Sequence, residues 1–201
     1  MLCIRENKMW EIDKIKDYVK ENLKVGRYNH TLGVVNTAVE LAKVFGEDQK
    51  KAEIAALCHD VAKNMDLEQL RKIIDEENIT LSIDEENTKE IWHSIAGPII
   101  AKNIFKINDE EILSAMRWHT TGKENMSNLD KIVYLADLIE PSREFDGIDE
   151  IRSISYKSLD LAMIKALTHT TIYLLNKGYA VDINTIKARN YLLYNKNKLD
   201  N

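Results

Sequence analysis

The stretch ALCHDVAKN, residues 56–64, sets a histidine and an aspartate side by side among residues that otherwise read as the inner face of a helix. Ala56, Leu57, Cys58, Val61 and Ala62 are the expected core, so Asp60 is a carboxylate in apolar surroundings. Such a group is costly unless it is protonated or meets a cation. Asp137, in the middle of IVYLADLIE, poses the same problem. Five histidines accompany these acids: His30, His59, His93, His119 and His169. Each alone has an ordinary structural reading. His30 can be a solvated residue at a helix start, His119 a ring placed favourably on a helix dipole, and His93 a core ring bonded to a carbonyl. His169, in ALTHTTIYLL with no motif around it, is read as structural.

Two lone acids and four histidines together have a shared explanation. Neutral imidazole and carboxylate are the ligands of transition ions such as iron, manganese, nickel or zinc, and a divalent ion keeps both aspartates ionised. Adjacent residues on a helix diverge by about 100°. His59 and Asp60 therefore share one ion only at the edge between them, or Asp60 bridges two ions. Both arrangements need ligands from other elements, which His30 and Asp137 can supply. Such an ion activates water. Lys63 follows Asp60 by three and so shares its helix face, where it reaches an anion at the site or makes an ion pair. Arg27 precedes His30 by three, in a stretch that reads as loop, and Arg143 carries a planar fork of donors suited to an oxyanion. Thr120, Thr121 and Gly122 offer hydroxyls and backbone amides or make a plain helix cap.

The elements that must position these residues are helical throughout. Apolar spacing predicts helices over about 9–24, 30–45 (closed by Gly46), and 48–63 (capped by Asp48). A fourth opens at Asp66 with Gln69 as a capping box. Residues 83–90 read as a solvated connection. A helix over about 88–105 contains Gly97-Pro98, expected to kink it or to mark a tight crossing. Asn108 opens the next and Ser127 another, which Pro141 ends. A long helix over about 156–177 ends at Gly178, and Asp182 or Asn184 caps the last.

The chain has 201 residues, 44% hydrophobic and 30% charged, with seven Gly and two Pro. That is one globular unit with little room for β-turns. A net charge of −5 argues against general nucleic-acid binding, which needs a basic face. No apolar run approaches a membrane span and the first residues are charged, so neither a membrane nor a secretory role is expected. Cys3 and Cys58 are expected to be free thiols in a reducing cytoplasm. Nothing in the spacing fixes an oligomeric state.

The ordered set His30, His59-Asp60, His93, His119, Asp137 resembles the H…HD…H…H…D pattern of the HD superfamily of metal-dependent phosphohydrolases. The stretches RYNHTLGV, CHDVAK, HSIAGPIIA, RWHTTG, ADLIEPSREFDGID and ARNYLL carry the resemblance, within that superfamily to the YqeK-like branch, the bacterial symmetrical dinucleoside tetraphosphatases. The resemblance implies an all-α, single HD domain over residues 1–201, with a metal-site core at about 27–145 and C-terminal helices at about 156–195 packed on it. It implies iron foremost, in one or two ions, and symmetrical hydrolysis of diadenosine tetraphosphate to two ADP. It assigns His30, His59, Asp60 and Asp137 as ligands, with His93 and His119 holding a second ion or facing phosphates. Asp60, His93 and His119 are then the catalytic set. Arg27, Lys63, Thr120, Asp137 and Arg143, together with Gly178, Tyr179 and Asp182, are expected on the substrate side with His93 and His119. Where the family more often has a histidine near the start of the last helix, this chain has Asp182-Ile183-Asn184. The alternatives are another phosphoesterase (a nucleotidase or alarmone hydrolase), a di-iron oxygenase, and a non-catalytic nucleotide-binding protein.

Overall fold

A computed structural model describes residues 8–199, with side chains through 195; the Cys3 thiol and the charged N-terminal stretch lie outside the described residues. Eleven α-helices follow one another among those residues, with no strand between them. They are α1 (Ile12–Asn22), α2 (Val25–Phe45), α3 (Gln49–Cys58), α4 (Leu67–Glu76), α5 (Ile83–Asn87), α6 (Trp92–Asn103), α7 (Glu110–Trp118), α8 (Asn128–Ile139), α9 (Ile148–Ser155), α10 (Leu159–Asn176) and α11 (Ile183–Leu199). A short 3-10 turn, Lys89–Ile91, precedes α6.

Local chemistry explains most of the boundaries. Asp48 accepts the Lys50 and Lys51 amides at the start of α3, and Gly46, at φ +72, closes α2 in the left-handed region that an L side chain resists. Asp66 with Gln69 and Ser127 with Asp130 form reciprocal capping boxes for α4 and α8. The central packing sets α2 against α3 and α8, with α7 against α6 and α8; α10 then lies on α8, α9 and α11. Val34, Leu41, Ile54, Met116, Ile132, Leu135 and Leu167 are fully or almost fully buried between them.

Several expectations are corrected. α2 begins at Val25, so Arg27 is helical and one turn from His30 rather than on a loop. α3 stops at Cys58, and residues 59–64 turn instead of continuing to 63, closed by Val61 N–H to Cys58 O and Lys63 N–H to Asp60 O. Lys63 therefore shares no helix face with Asp60. The run 83–90 is α5 and the 3-10 turn, because Ser82 and Glu85 make a capping box and the Glu85 carbonyl accepts the Trp92 indole N–H at 2.7 Å. Pro98 sits inside α6 without ending it, and Asp109 rather than Asn108 caps α7. The segment before Leu159 holds the separate helix α9, which buries Ile148 and Ile151 and starts at Gly147 with no side-chain cap to announce it.

Candidate metal centre

Six elements deliver the polar residues to one buried place. His30 comes from α2, His59 caps the end of α3, Asp60 and Lys63 lie in the turn after it, His93 opens α6, His119 caps α7, and Asp137 lies in the last turn of α8. The break in the chain after Cys58 answers the 100° divergence, since outside a helix the two side chains converge. His59 Nε2 and Asp60 Oδ2 lie 3.4 Å apart.

The imidazoles are held in a common way. His59, His93 and His119 each set Nδ1 against the carbonyl three residues earlier: Ala56 at 2.6 Å, Glu90 at 2.7 Å and Met116 at 2.7 Å. His30 Nδ1 faces the buried Glu140 carboxylate at 3.0 Å. With Nδ1–H donated outward, each Nε2 carries a lone pair and points inward. His30 Nε2 and His59 Nε2 are buried and make no hydrogen bond. His30 Nε2 lies 2.9 Å from Asp137 Oδ1, but not at a hydrogen-bonding angle. Two ligands bound at about 2.1 Å and 90–110° apart are separated by roughly 3.0–3.4 Å. The spacings here have that size: 3.2 Å from His93 Nε2 to Asp60 Oδ1, and 3.3 Å from His93 Nε2 to His119 Nε2. The possible ligand groups are His30–His59–Asp60, His59–His119–Asp137 and Asp60–His93–His119. Asp60 faces His59 with Oδ2 and His93 and His119 with Oδ1, as a bridging carboxylate would. The donor set thus fits a divalent ion, or a pair.

The electrostatics agree. Burial opposes ionisation of Asp60, but the His59 ring beside it, with His119 and His93 close by, holds its carboxyl well below the usual carboxylate range. Asp137 is likewise driven down against its burial, chiefly by His30. Burial keeps His93 neutral, its pKa lowered to about 4. Burial also favours the charged form of His59 less, but Asp60 and Asp137 outweigh it and raise the ring's pKa, so a proton and a metal ion compete for the same nitrogen. Three carboxylates, Asp60, Asp137 and Glu140, are matched by Arg27, Lys63 and Arg143, so a divalent ion would make the site cationic, as an anionic substrate requires.

Arg27 Nη1 donates to Asp60 Oδ2 at 2.9 Å, and Arg143 Nη2 donates to Asp137 Oδ1 at 2.7 Å. Both arginines, with His30, Glu140 and Ser142, line a recess of about 220 Å³. Lys63 Nζ rests 3.3 Å from the His93 ring, and burial lowers its pKa. Beyond His119, Thr120, Gly178, Tyr179 and Asp182 line a second and larger cleft of about 590 Å³. It shares a wall with the cluster, because Thr120 Oγ1 lies 3.1 Å from His119 Nε2 and Glu90, which holds His93, is also on its lining. The expected residues fall into one buried cluster and two flanking hollows. His169 is elsewhere, stacked on Phe145 with centroids 4.3 Å apart.

Sequence reasoning missed Glu140 and Gly33. Glu140 anchors His30 and accepts the Ser142 amide at 2.8 Å as well as its hydroxyl. Gly33, in α2, leaves room for it: a Cβ there would lie 2.6 Å from Glu140 Oε2. The only signal was an acid directly before Pro141, which is too common to read alone.

Comparison with known proteins gives a consistent picture. The HD domain family matches residues 27–142. The symmetrical bis(5'-nucleosyl)-tetraphosphatase of Bacillus subtilis (strain 168) is 41% identical over 175 residues, covering 87% of this chain and 94% of that protein. Its counterpart in Halalkalibacterium halodurans is 40% identical over 184 residues, covering 90% and 96%. A crystal structure from Clostridium acetobutylicum, described as that of a predicted HD superfamily hydrolase involved in NAD metabolism, superposes with a TM-score of 0.91 at 44% identity, covering 94% of this chain and all of that one.

Proposed function

Because this chain belongs to the HD domain family, we propose that it is a metal-dependent hydrolase that splits dinucleoside tetraphosphates symmetrically into two nucleoside diphosphates. One observation carries the reading: the residues of the H…HD…H…H…D pattern meet in a single buried cluster, in a chain similar over nearly its whole length to proteins named for that activity. Diadenosine tetraphosphate is the substrate we test first.

His30, His59, Asp60 and Asp137 would hold the core ion, with His93 and His119 at a second ion or at the phosphates. Iron is the first choice, and manganese, nickel and zinc suit the same donors. When bound, the ion supplies charge neutralisation at phosphorus and an activated water. Asp60, with one oxygen toward His59 and the other toward His93 and His119, fixes the position of the reacting centre. His93, neutral through burial, and His119 face the bond to be broken from the other side of Asp60. Lys63 and the donors of Arg27 and Arg143 not used on Asp60 and Asp137 bind the non-bridging oxygens. One nucleoside sits in the larger cleft, its two phosphates reach the cluster, and the rest of the substrate leaves through the arginine-lined recess. Water then attacks the second phosphorus from the seated nucleoside and expels the other nucleoside diphosphate. Among the described residues no helix is long and apolar enough to cross a membrane. We place the protein in the cytoplasm, the compartment of its proposed nucleotide substrates and one in which the free thiol of Cys58 stays reduced.

The test is chromatography of early products from diadenosine tetraphosphate, alongside metal analysis of the purified protein. ADP alone is expected, with one oxygen from labelled water per cleavage. AMP with ATP would refute the symmetrical cut. Free phosphate would point to a simple phosphatase, and substrate-dependent oxygen consumption to an oxygenase.

A further inference from the structure

The larger cleft differs in charge from the rest of the site. Its lining carries no lysine, arginine or histidine, and its charged residues are Glu90 and Asp182. A polyphosphate would be repelled there, whereas an uncharged nucleoside fits a hollow of about 590 Å³. Asp182 is only 5% exposed. Its Oδ1 accepts the Asn184 amide at 2.8 Å, at the start of α11, while Oδ2 is buried and has no partner. A buried carboxylate oxygen without a donor is destabilising, so it marks a place where a donor is wanted. The cation that feels its charge does not fill it. Arg117 senses the Asp182 charge, but its ion pair is with Glu85, and its own buried Nη1 is also without a partner. Tyr179, 62% exposed on the same lining, offers a ring face for stacking.

We infer that Asp182 is a specificity-determining residue that accepts an N–H from the base of the seated nucleoside and favours guanine over adenine. A carboxylate oxygen only accepts, so whatever faces it must donate. The pairing edge of guanine presents adjacent donors, N1–H and the 2-amino group. Adenine sets its 6-amino group beside an unprotonated N1, whose lone pair meets the carboxylate unfavourably. Sites built around such a bond reject the partner that lacks it. The inference rests on the proposed function, and it can be tested separately from it.

Hydrolysis of diguanosine, diinosine and diadenosine tetraphosphate is compared for wild type and Asp182→Asn, with calorimetric binding of GDP and ADP to the metal-loaded protein. Asn caps a helix as well as Asp does, and Asp182→Ser serves as a second variant that keeps the cap. Wild type is expected to favour the guanine substrate by about tenfold or more in kcat/KM, with inosine, which has N1–H alone, between the two. Asp182→Asn should lower that ratio by about as much, mainly through KM, and GDP and ADP binding should converge. Equal handling of the bases by wild type overturns the inference. So does an unchanged ratio in both variants with altered melting, which makes Asp182 a cap balanced by Arg117. A loss that is equal for all bases but absent with 2′,3′-dideoxynucleotides places the carboxylate on the ribose and overturns it too. Absence of hydrolysis for every substrate with GDP still preferred in binding removes the proposed function instead.

Discussion

Gly33→Ala is a one-carbon change with an unusual expected sign. In a helix interior alanine is more stable than glycine by roughly 0.5–1 kcal/mol, and Gly33 lies inside α2. Its new Cβ, however, would stand 2.6 Å from Glu140 Oε2. An ordinary contact needs about 3.4 Å, so the carboxylate must retreat by close to an ångström. It is not free to do so, being buried and held by the Ser142 amide and hydroxyl and by His30 Nδ1 at 3.0 Å. Hydrogen bonds to a charged group contribute about 1.5–3 kcal/mol, so losing one outweighs the helix gain and leaves a net loss of about 1–2 kcal/mol. The ring of His30 is then unanchored, and losing a partner of this kind weakens metal binding about 10- to 100-fold. Chelator competition and thermal melts of metal-free and metal-loaded protein read the two effects separately. The decisive comparison is the same change in a Glu140→Ala background. With no carboxylate to displace, Gly33→Ala should become stabilising by about 0.5–1 kcal/mol. An equal loss in both backgrounds would refute the steric account.

Asp137→Ala should abolish hydrolysis and lower metal content, whereas His169→Ala, which touches Phe145 and no ligand, should leave both intact; wild-type turnover in the first, or metal loss in the second, would overturn the ligand assignment. Lys63→Ala is expected to raise KM about 10- to 100-fold with metal content unchanged. Arg143→Ala should do the same and also weaken metal retention, because Arg143 holds the Asp137 carboxylate; kinetic titration with added metal separates the two losses. Glu85 has its pKa lowered despite partial burial, by the Ser82 amide and the Arg117 charge. That contribution to stability is present above the ordinary carboxylate pKa of about 4.3 and is lost as pH falls through the lower folded value. Melting curves from pH 7 to pH 3 should therefore drop less for Glu85→Gln than for wild type, and parallel curves would count against it.

The residues of the buried cluster were legible because residue type carries their chemistry: a lone acid in an apolar helix asks for a cation wherever it folds. The caps at Asp48, Asp66 and Ser127 were legible because a side chain and an amide two or three residues away suffice. Less was visible where a feature depends on distant packing. The divergence of His59 and Asp60 on a helix was the right constraint, but its solution, ending the helix at Cys58, depends on the packing of neighbouring elements. Gly33 and Glu140 lie far apart in sequence, and their fit exists only where α2 crosses the end of α8. α9 begins at a glycine with no capping side chain, so its start left no mark.

The three rings tied to carbonyls three residues back have a consequence for how the protein acquires its ion. Two of those carbonyls belong to the last turns of α3 and α7, where backbone acceptors lack helical partners. The contact that aims each of these two rings thus also finishes a helix, and folding alone sets the ring. In small domains assembled around zinc, by contrast, the ligands are brought together only as the metal binds. Here the chain can complete its fold first and take up an ion later. The cation resident at any moment is then set by exchange with what the surroundings offer, and one protein can carry different metals over its lifetime without refolding.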